Sequence, residues 1–202
     1  MQKDTEKIIL DTAHKHFVHK GFVATRTQEI ADDAGINKAM LHYYFRTKEK
    51  LYQEVIRRTL NKVIPRFVDA LSGEGSFLER AEYLVDTYIE VISENPEIPL
   101  FIISELSQNS ALFIGEIKRQ PSYFPAIKSF MSQMETEMKE GKIREVPSVQ
   151  LMLNILGMTI FPFIAKPMIS TIFGVSDKQF AILMKERKPI IMECIKSALE
   201  VK

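Results

Sequence analysis

Apolar residues recur along this chain at the three- to four-residue spacing of α-helices, and the alternation typical of β-strands is absent. Near the N-terminus, Ile9, Ala13, His16 and Phe17 fall on one helical face. A second clear stripe has the same spacing and contains Phe77, Ala81, Leu84, Tyr88 and Val91. The pattern predicts an all-α protein of about nine helices without a sheet.

Residues that begin and end helices divide this pattern into segments. Capping boxes are predicted at Thr25–Gln28, Ser76–Glu79 and Ser176–Gln179, and Asn95-Pro96 is interpreted as the start of a helix. Gly21, Gly141 and Gly174 are predicted helix ends. The predicted helices cover about 4–20, 27–34, 38–45, 48–71 (interrupted at Pro65), 77–94, parts of 97–120, 121–141, 148–173 and 177–199.

Composition and charge are those of a globular protein whose two ends differ in charge. Hydrophobic residues make up 46% of the 202 residues and charged residues 26%, which excludes a disordered chain. The net charge of +1 conceals an excess of five positive charges in residues 1–66 and of four negative charges in residues 67–202. A basic segment of this kind suits a partner that carries phosphates.

Cysteine content and hydropathy bear on the compartment. The single cysteine, Cys194, excludes an internal disulfide and a multi-cysteine zinc site, and it fits a reducing compartment. The N-terminus lacks a signal-peptide pattern. The most apolar stretch, residues 149–173, is interrupted by polar residues and prolines, so we interpret it as a buried helix and not a membrane span. We therefore expect a cytoplasmic protein without a membrane partner.

Residues 21–51 have the features of a helix-turn-helix. Ile30 and Ala31 can face Ile36 and Leu41 around a sharp turn at Gly35. The second helix of the pair is short, which suits insertion into a DNA major groove. On its exposed face, side chains can donate to base edges, and the residues that begin the neighbouring helices can meet phosphates. The predicted DNA-binding residues are Thr25, Arg26, Thr27, Gln28, Asn37, Lys38, Ala39, His42, Tyr43, Tyr44 and Lys48.

This segment resembles the signature of the TetR family of bacterial regulators. The matching residues are Gly21, Phe22, Thr25, Ile30, Ala31, Ala34, Gly35, Ile36, Asn37, Ala39, Leu41, Tyr44, Phe45, Lys48 and Leu51, and in the first helix Ile9, Ala13 and Phe17. Two residues depart from the signature. Arg26 replaces a Ser or Thr and adds a cation, and His42 replaces a Tyr and can make a DNA contact sensitive to pH.

The resemblance implies a two-part organisation. Residues 1–48 would form the DNA-binding domain, and residues 49–202 a larger helical domain for ligand binding and dimerisation. The implied function is that of a repressor, not an enzyme, which a small molecule releases from its DNA. We expect neither a cofactor nor a metal. The implied ligand pocket lies within about residues 84–165, and the predicted ligand-binding residues are Tyr88, Phe101, Phe124, Met131, Met134, Met158 and Phe161.

The resemblance also implies a homodimer formed through about residues 148–200, which would bind near-palindromic double-stranded DNA. The apolar positions assigned to this interface are Leu151, Ile155, Met158, Pro162, Phe180, Met184, Ile191, Ile195 and Ala198. The alternative is that these positions pack into the core of their own chain.

Two other functions remain open from the sequence. The C-terminal part could serve only to dimerise or to bind another protein, without sensing a ligand. The chain could also be a helical enzyme or lipid carrier, but no motif of catalytic residues accompanies the helices. His14, His16 and His19 could suggest a metal site, and we favour a structural role for His16, which falls on the core-facing side.

Overall fold

The computed structural model describes the backbone of residues 2–201 and the side chains of residues 4–201. Over this range the chain forms helices and no strand, which confirms the all-α prediction. The eleven helices are α1 (Gln2–Ala24), α2 (Thr27–Asp33), α3 (Lys38–Phe45), α4 (Lys48–Ser72), α5 (Phe77–Glu94), α6 (Ile98–Gln108), α7 (Ser110–Lys118), α8 (Tyr123–Lys139), α9 (Ser148–Ile164), α10 (Lys166–Phe173) and α11 (Asp177–Leu199).

The helices form two compact units. The first contains the residues up to Lys62 together with Leu100–Arg119, and the second contains Val63–Pro99 and the residues from Gln120 onward. Helices α4 and α6 contribute residues to both units. The functional division predicted at residue 48 is a different boundary and stays a prediction.

The first unit is built on the apolar face of α1. Ile9, Ala13 and Phe17 are buried as the spacing predicts, and Ile30 of α2 is buried with them. The ring of Phe17 meets the ring of Tyr52 edge-on, with 4.8 Å between centroids. Gly21 interrupts α1 with a φ of 73°, a left-handed conformation that glycine adopts without a side-chain penalty. The predicted end of the first helix therefore lies at Gly21.

The second unit is centred on α5, which packs against α8, α9 and α11. Ser76 begins α5 through the predicted capping box, since its hydroxyl accepts from the Glu79 backbone and the Glu79 carboxylate accepts from the Ser76 backbone. The rings of Phe77 and Phe130 pack 5.1 Å apart. The buried Glu137 carboxylate accepts a 2.7 Å hydrogen bond from the Phe77 backbone, which ties α8 to the start of α5.

Several helix boundaries differ from the sequence prediction. Asn95 does not begin a helix: it ends α5, because its side chain donates to the Val91 carbonyl at 2.8 Å. The segment predicted as one helix over 148–173 bends by 69° at Ala165 into α9 and α10. Pro167 accounts for the break, because it has no N–H to donate to the preceding turn and is tolerated within the first turn of a new helix.

Proline does not break three other helices. The predicted interruption at Pro65 is wrong, because α4 continues through it to Ser72. Pro162 and Pro189 likewise lie inside α9 and α11. Each proline removes one backbone hydrogen bond, and the packing of the apolar faces sustains the helix.

The apolar positions assigned from sequence to a dimer interface pack mainly into the second unit itself. Leu151, Ile155, Pro162, Phe180, Met184, Ile191 and Ile195 are buried in the single chain, whereas Met158 and Ala198 are half-buried. The alternative considered from the sequence is thus correct for the buried positions. A different set of apolar residues is exposed on these helices, and α9 presents Val149, Leu153 and Phe161.

Between residues 2 and 201 no single helix has the length and apolar character required to cross a membrane, although two bent pairs, α6 with α7 and α9 with α10, meet that test by length and composition.

Candidate nucleic-acid interface

Helices α2 and α3 form the predicted helix-turn-helix. Gly35 has a φ of 67°, which turns the chain sharply after α2. The turn is closed by a 3.0 Å hydrogen bond from the Ile36 N–H to the Ala31 carbonyl. Asn37 then begins α3, because its side-chain oxygen accepts from the Met40 N–H at 2.7 Å. This oxygen already accepts one hydrogen bond within the protein, and the Asn37 amide NH₂ remains to donate.

One face of α3 is buried and the opposite face is open. Leu41 and Phe45 pack inward, whereas Lys38, Ala39 and His42 are exposed. Tyr43 lies on the same open face and is 61% exposed. Its ring meets the half-buried ring of Tyr44 edge-on at 5.5 Å. A short helix with an aromatic and two polar side chains exposed has the shape and chemistry to read a major groove.

A concave groove of about 530 Å³ lies beside this face, and it is bordered by α2, α3 and the start of α4. Its lining contains four basic side chains, those of Arg26, Lys38, Arg46 and Lys48, and no acidic one. Among the residues that the structure describes, Arg26, Lys38 and Arg46 form no ion pair. The groove therefore carries uncompensated positive charge, which favours a polyanion. Seven of the predicted DNA-binding residues line it: Thr25, Arg26, Thr27, Gln28, Lys38, His42 and Lys48.

Thr25 has a structural role that the sequence interpretation missed. It is 1% exposed, and its hydroxyl donates to the carbonyls of Gly21 at 2.7 Å and His16 at 3.2 Å. The capping box predicted at Thr25–Gln28 is displaced by one residue. Arg26 precedes the first residue of α2, and its N–H donates to the Glu29 carboxylate at 3.4 Å.

Acidic side chains near the start of α2 are held by partners. The Lys20 ammonium lies 3.0 Å from Glu29, and hydrogen bonds from Lys20 and from the Arg26 backbone lower the pKa of Glu29. Gln28 donates to Asp32 at 2.7 Å, one helical turn away. The second N–H and the oxygen of the Gln28 amide remain for other contacts.

Lys48 is fixed in place by the end of α1. Its ammonium donates to the Val23 carbonyl at 3.2 Å and lies 4.4 Å from the centre of the Phe22 ring. The Phe22 ring in turn packs against Tyr52, with 4.6 Å between centroids. A cation held in this way is ordered before it meets a phosphate, so binding it costs little side-chain entropy.

His16 links α1 to α2. Its Nε2 lies 2.7 Å from the Asp33 carboxylate, and its side chain is nearly buried. Within residues 2–201, no group of three or more histidine, cysteine or acidic side chains is arranged to hold a metal ion. The contact with Asp33 supports a structural role for His16, which stays an interpretation.

The predicted ligand-binding residues are distributed over both units. Phe101 belongs to the first unit, where it is buried with its ring 5.6 Å from that of His14. In the second unit Met134 is buried, Phe124 and Phe161 are exposed, and Tyr88, Met131 and Met158 are half-buried. Their role stays a prediction.

Only one of two half-buried tyrosines in the second unit was predicted as a candidate site residue. Burial raises the pKa of the predicted Tyr88 and also that of Tyr123, which the sequence interpretation did not select. The Tyr88 ring packs 4.3 Å from the Phe67 ring.

Sequence comparison matches the segment of the chain that forms the helix-turn-helix. The family described as "Bacterial regulatory proteins, tetR family" matches residues 9–55. The HTH-type transcriptional repressor KstR2 of Mycobacterium tuberculosis is 31% identical over 87 residues, which cover 43% of this chain and 44% of KstR2. The matched segments span 39%, 74% and 44% of the lengths of the first three curated relatives.

Solved structures resemble the chain over its full length. HlyIIR, a hemolysin II transcriptional regulator, is 26% identical, with a TM-score of 0.68 and complete coverage of both chains. The regulator FadR from Bacillus subtilis, solved in complex with stearoyl-CoA, is 14% identical with a TM-score of 0.68 and covers 96% of this chain and 99% of its own. The second likeness concerns the fold alone.

Proposed function

Because the chain belongs to the TetR family of bacterial regulatory proteins, we propose that it is a sequence-specific DNA-binding repressor that a small molecule releases from its operator. The family is one of regulators and not of enzymes. Such a function places the protein in the cytoplasm, where the DNA is.

The observation that carries the proposal is the pairing of an exposed α3 face with a groove lined by four cations and no acid. In this proposal Lys38, Ala39, His42 and Tyr43 meet base edges in the major groove. Arg26, Thr27, Gln28 and Lys48 meet the backbone on either side, with the Asn37 amide and Tyr44 at the edge of the same surface. Thr25 acts indirectly, because its hydroxyl fixes the end of α1.

The protein binds DNA in this proposal as a homodimer. Two copies related by a two-fold axis would present two α3 helices to successive major grooves, about 34–36 Å apart, on a near-palindromic site. Exposed apolar side chains on α9 and α11 support an interface within residues 148–200. The partner surface would be the exposed one that includes Leu153 and Phe161.

The effector in this proposal is an apolar or weakly polar molecule bound in the second unit. Apolar side chains around a few polar groups suit such a ligand, and the hydroxyls of Tyr88 and Tyr123 supply those groups. A ligand that binds better to a state with α4 displaced would draw the protein away from DNA, since only differential affinity is needed. Helix α4 suits this role because it is continuous from Lys48, beside the groove, to Ser72.

The test is selection of bound duplexes from a random DNA pool by the purified protein, in parallel with Tyr43→Ala. We expect wild type to enrich one near-palindromic sequence and Tyr43→Ala to lose that enrichment while keeping its fold by circular dichroism. Tyr83→Ala is the matched control, because Tyr83 is also an exposed tyrosine but lies on α5. Absence of enrichment by wild type would contradict the proposal.

A further inference from the structure

The turn between α3 and α4 has an unusual backbone. Arg46 has a φ of 57° and a ψ of −54°, and the Thr47 N–H donates to the Phe45 carbonyl at 2.5 Å. This combination defines a γ-turn of the rare, strained kind. Among the residues that the structure describes, Arg46 is the one non-glycine residue with a positive φ.

Glycine would adopt this conformation without the steric penalty of a Cβ atom. An arginine here carries a strain cost that something else must offset, and such strain often marks a functional position. Within residues 4–201, that side chain forms no ion pair and no hydrogen bond, and the residue is exposed. The protein's own described contacts do not account for the arginine.

The Arg46 side chain lines the cationic groove, together with Arg26 and Lys38. Lys48, the fourth cation, is already held by the Val23 carbonyl and the Phe22 ring. Arg46 thus lies at the α3–α4 edge of the groove, whereas Arg26 lies at the α2 edge. A guanidinium presents paired N–H donors that match two phosphate oxygens at once.

We propose that Arg46 is a further DNA-binding residue that contacts a backbone phosphate, and that the strained turn is retained because it holds this guanidinium in the groove. This inference rests on the proposed DNA-binding function. A phosphate contact contributes affinity and orientation but does not read sequence. Arg46 therefore sets how tightly the protein binds any duplex, and the α3 face sets which duplex it prefers.

The test compares wild type with Arg46→Gly, Arg46→Asn and Arg46→Lys on a duplex enriched by wild type and on a scrambled duplex. Glycine relieves the turn, asparagine tolerates a positive φ, and both remove the charge. We expect both to weaken binding to the two duplexes by a similar factor, about tenfold at moderate salt. The slope of log affinity against log salt should decrease by about 0.9 for each phosphate that the variant no longer neutralises. Arg46→Lys should retain most of that slope.

Stability supplies the second readout. Arg46→Gly should unfold at the same temperature as wild type or at a higher one, while it binds DNA more weakly. Lys128→Ala, which removes one exposed charge from α8, controls for a general loss of positive charge and should leave the slope unchanged.

The outcomes separate this inference from the proposed function. If wild type and Arg46→Gly bind DNA with the same affinity and the same salt slope, Arg46 does not have the proposed role. The repressor proposal would be unaffected by that result. A lower unfolding temperature for Arg46→Gly than for wild type would contradict the claim that the turn is strained. Failure of wild type to bind any duplex in a salt-dependent way would overturn both proposals.

Discussion

Glu105 shows how burial changes the chemistry of a single residue. It is 2% exposed on α6, and its carboxyl accepts a hydrogen bond from the Tyr52 hydroxyl. The Asn109 amide lies 3.4 Å from the same carboxyl oxygen. Burial raises the pKa of Glu105, and the bond from Asn109 offsets part of that rise. The folded protein therefore holds a proton on Glu105 at pH values where the unfolded chain has released it.

The sign of the resulting pH dependence follows from linkage. Above the ordinary glutamate pKa of about 4.3, the folded state binds more protons than the unfolded state, so the free energy of unfolding falls as the pH rises. Glu105→Gln cannot ionise. We expect wild type to lose stability relative to Glu105→Gln as the pH rises from about 4 to 7. Urea denaturation of both proteins at each pH measures the difference in unfolding free energy.

Glu79→Gln provides a control of opposite sign. Hydrogen bonds from the Ser76 backbone and hydroxyl lower the pKa of Glu79, so the carboxylate stabilises the fold above its pKa and loses this effect as the pH falls. Wild type should therefore gain relative to Glu79→Gln as the pH rises from about 3 to 5. Parallel curves for wild type and Glu105→Gln would contradict a raised pKa at Glu105.

At single positions the sequence predicted surface chemistry better than buried chemistry. The prediction that Lys38, His42 and Tyr43 are exposed on α3 was correct. Helical spacing determines this face once Leu41 is known to point inward. The hydrogen bonds from the Thr25 hydroxyl to carbonyls of α1 were not predicted, because no local pattern signals such a contact. Arg46 was missed because a strained φ depends on how α3 and α4 meet.

Between elements, Tyr52 links α4 to its neighbours in two ways. Its hydroxyl contacts Glu105 of α6 and lies 3.1 Å from the Asn109 amide, and its ring packs against Phe17 and Phe22. The Phe22 ring also lies under the Lys48 ammonium beside the groove. The hydroxyl and the ring of one residue thus serve different helices, and substitutions can separate them.

Tyr52→Phe removes only the hydroxyl, so Glu105 and Asn109 lose a buried partner. We expect a loss of about 1–3 kcal/mol in unfolding free energy, with DNA affinity nearly unchanged when the protein is folded. Tyr52→Leu also removes the ring that supports Phe22, and DNA affinity should then fall several-fold because Lys48 is less ordered. Denaturation and fluorescence anisotropy measure the two effects.

Tyr83→Phe is the matched control for the hydroxyl, because Tyr83 is exposed on α5. It should change neither quantity. A loss of DNA affinity in Tyr52→Phe as large as that in Tyr52→Leu would show that the ring does not have the separate role assigned to it.

Local signals predicted some helix starts correctly, whereas the box predicted at Thr25 forms one residue later and Asn95 ends a helix. The capping boxes at Ser76 and Ser176 form as the sequence predicts, because each needs only residues three apart. Helix ends and bends were less predictable. Pro65 lies inside a continuous helix and Pro167 follows a 69° bend, and only tertiary packing decides between these outcomes.

For the whole molecule, the sequence could not identify which apolar face meets a partner. Helix α9 is apolar nearly all round, so helical spacing cannot separate the face buried in its own chain from the exposed one. In the structure Leu151 and Ile155 are buried, whereas Val149, Leu153 and Phe161 are exposed at four- and eight-residue spacing. Because the first set is buried in its own chain, only the exposed set is available for the interface of the proposed dimer.

The exposed stripe on α9 has a shape suited to close helix contact. Gly157 lies between Leu153 and Phe161 at the same four-residue spacing, and a Cβ atom added there would meet nothing within 4 Å in the single chain. Helix α11 adds Ile182 and Ile190, each 55% exposed. An apolar stripe of this length on a lone subunit is typical of a surface that another subunit covers.

Leu153→Glu tests this surface. A glutamate buried without a partner costs roughly 3 kcal/mol or more, so the dissociation constant of the dimer should rise at least about 100-fold. In sedimentation experiments the variant should be a folded monomer at concentrations where wild type is a dimer. It should also lose preference for a palindrome over a single half-site, because one α3 reads one half-site.

Leu106→Glu is the control, because Leu106 is similarly exposed but lies on α6, outside residues 148–200. This variant should remain a dimer. If Leu106→Glu dissociates the protein and Leu153→Glu does not, the subunits meet through α6 and not through α9. The distance between the two α3 helices would then be set by contacts of α6, the helix that carries Glu105. The half-site spacing in the selected DNA would reflect that distance.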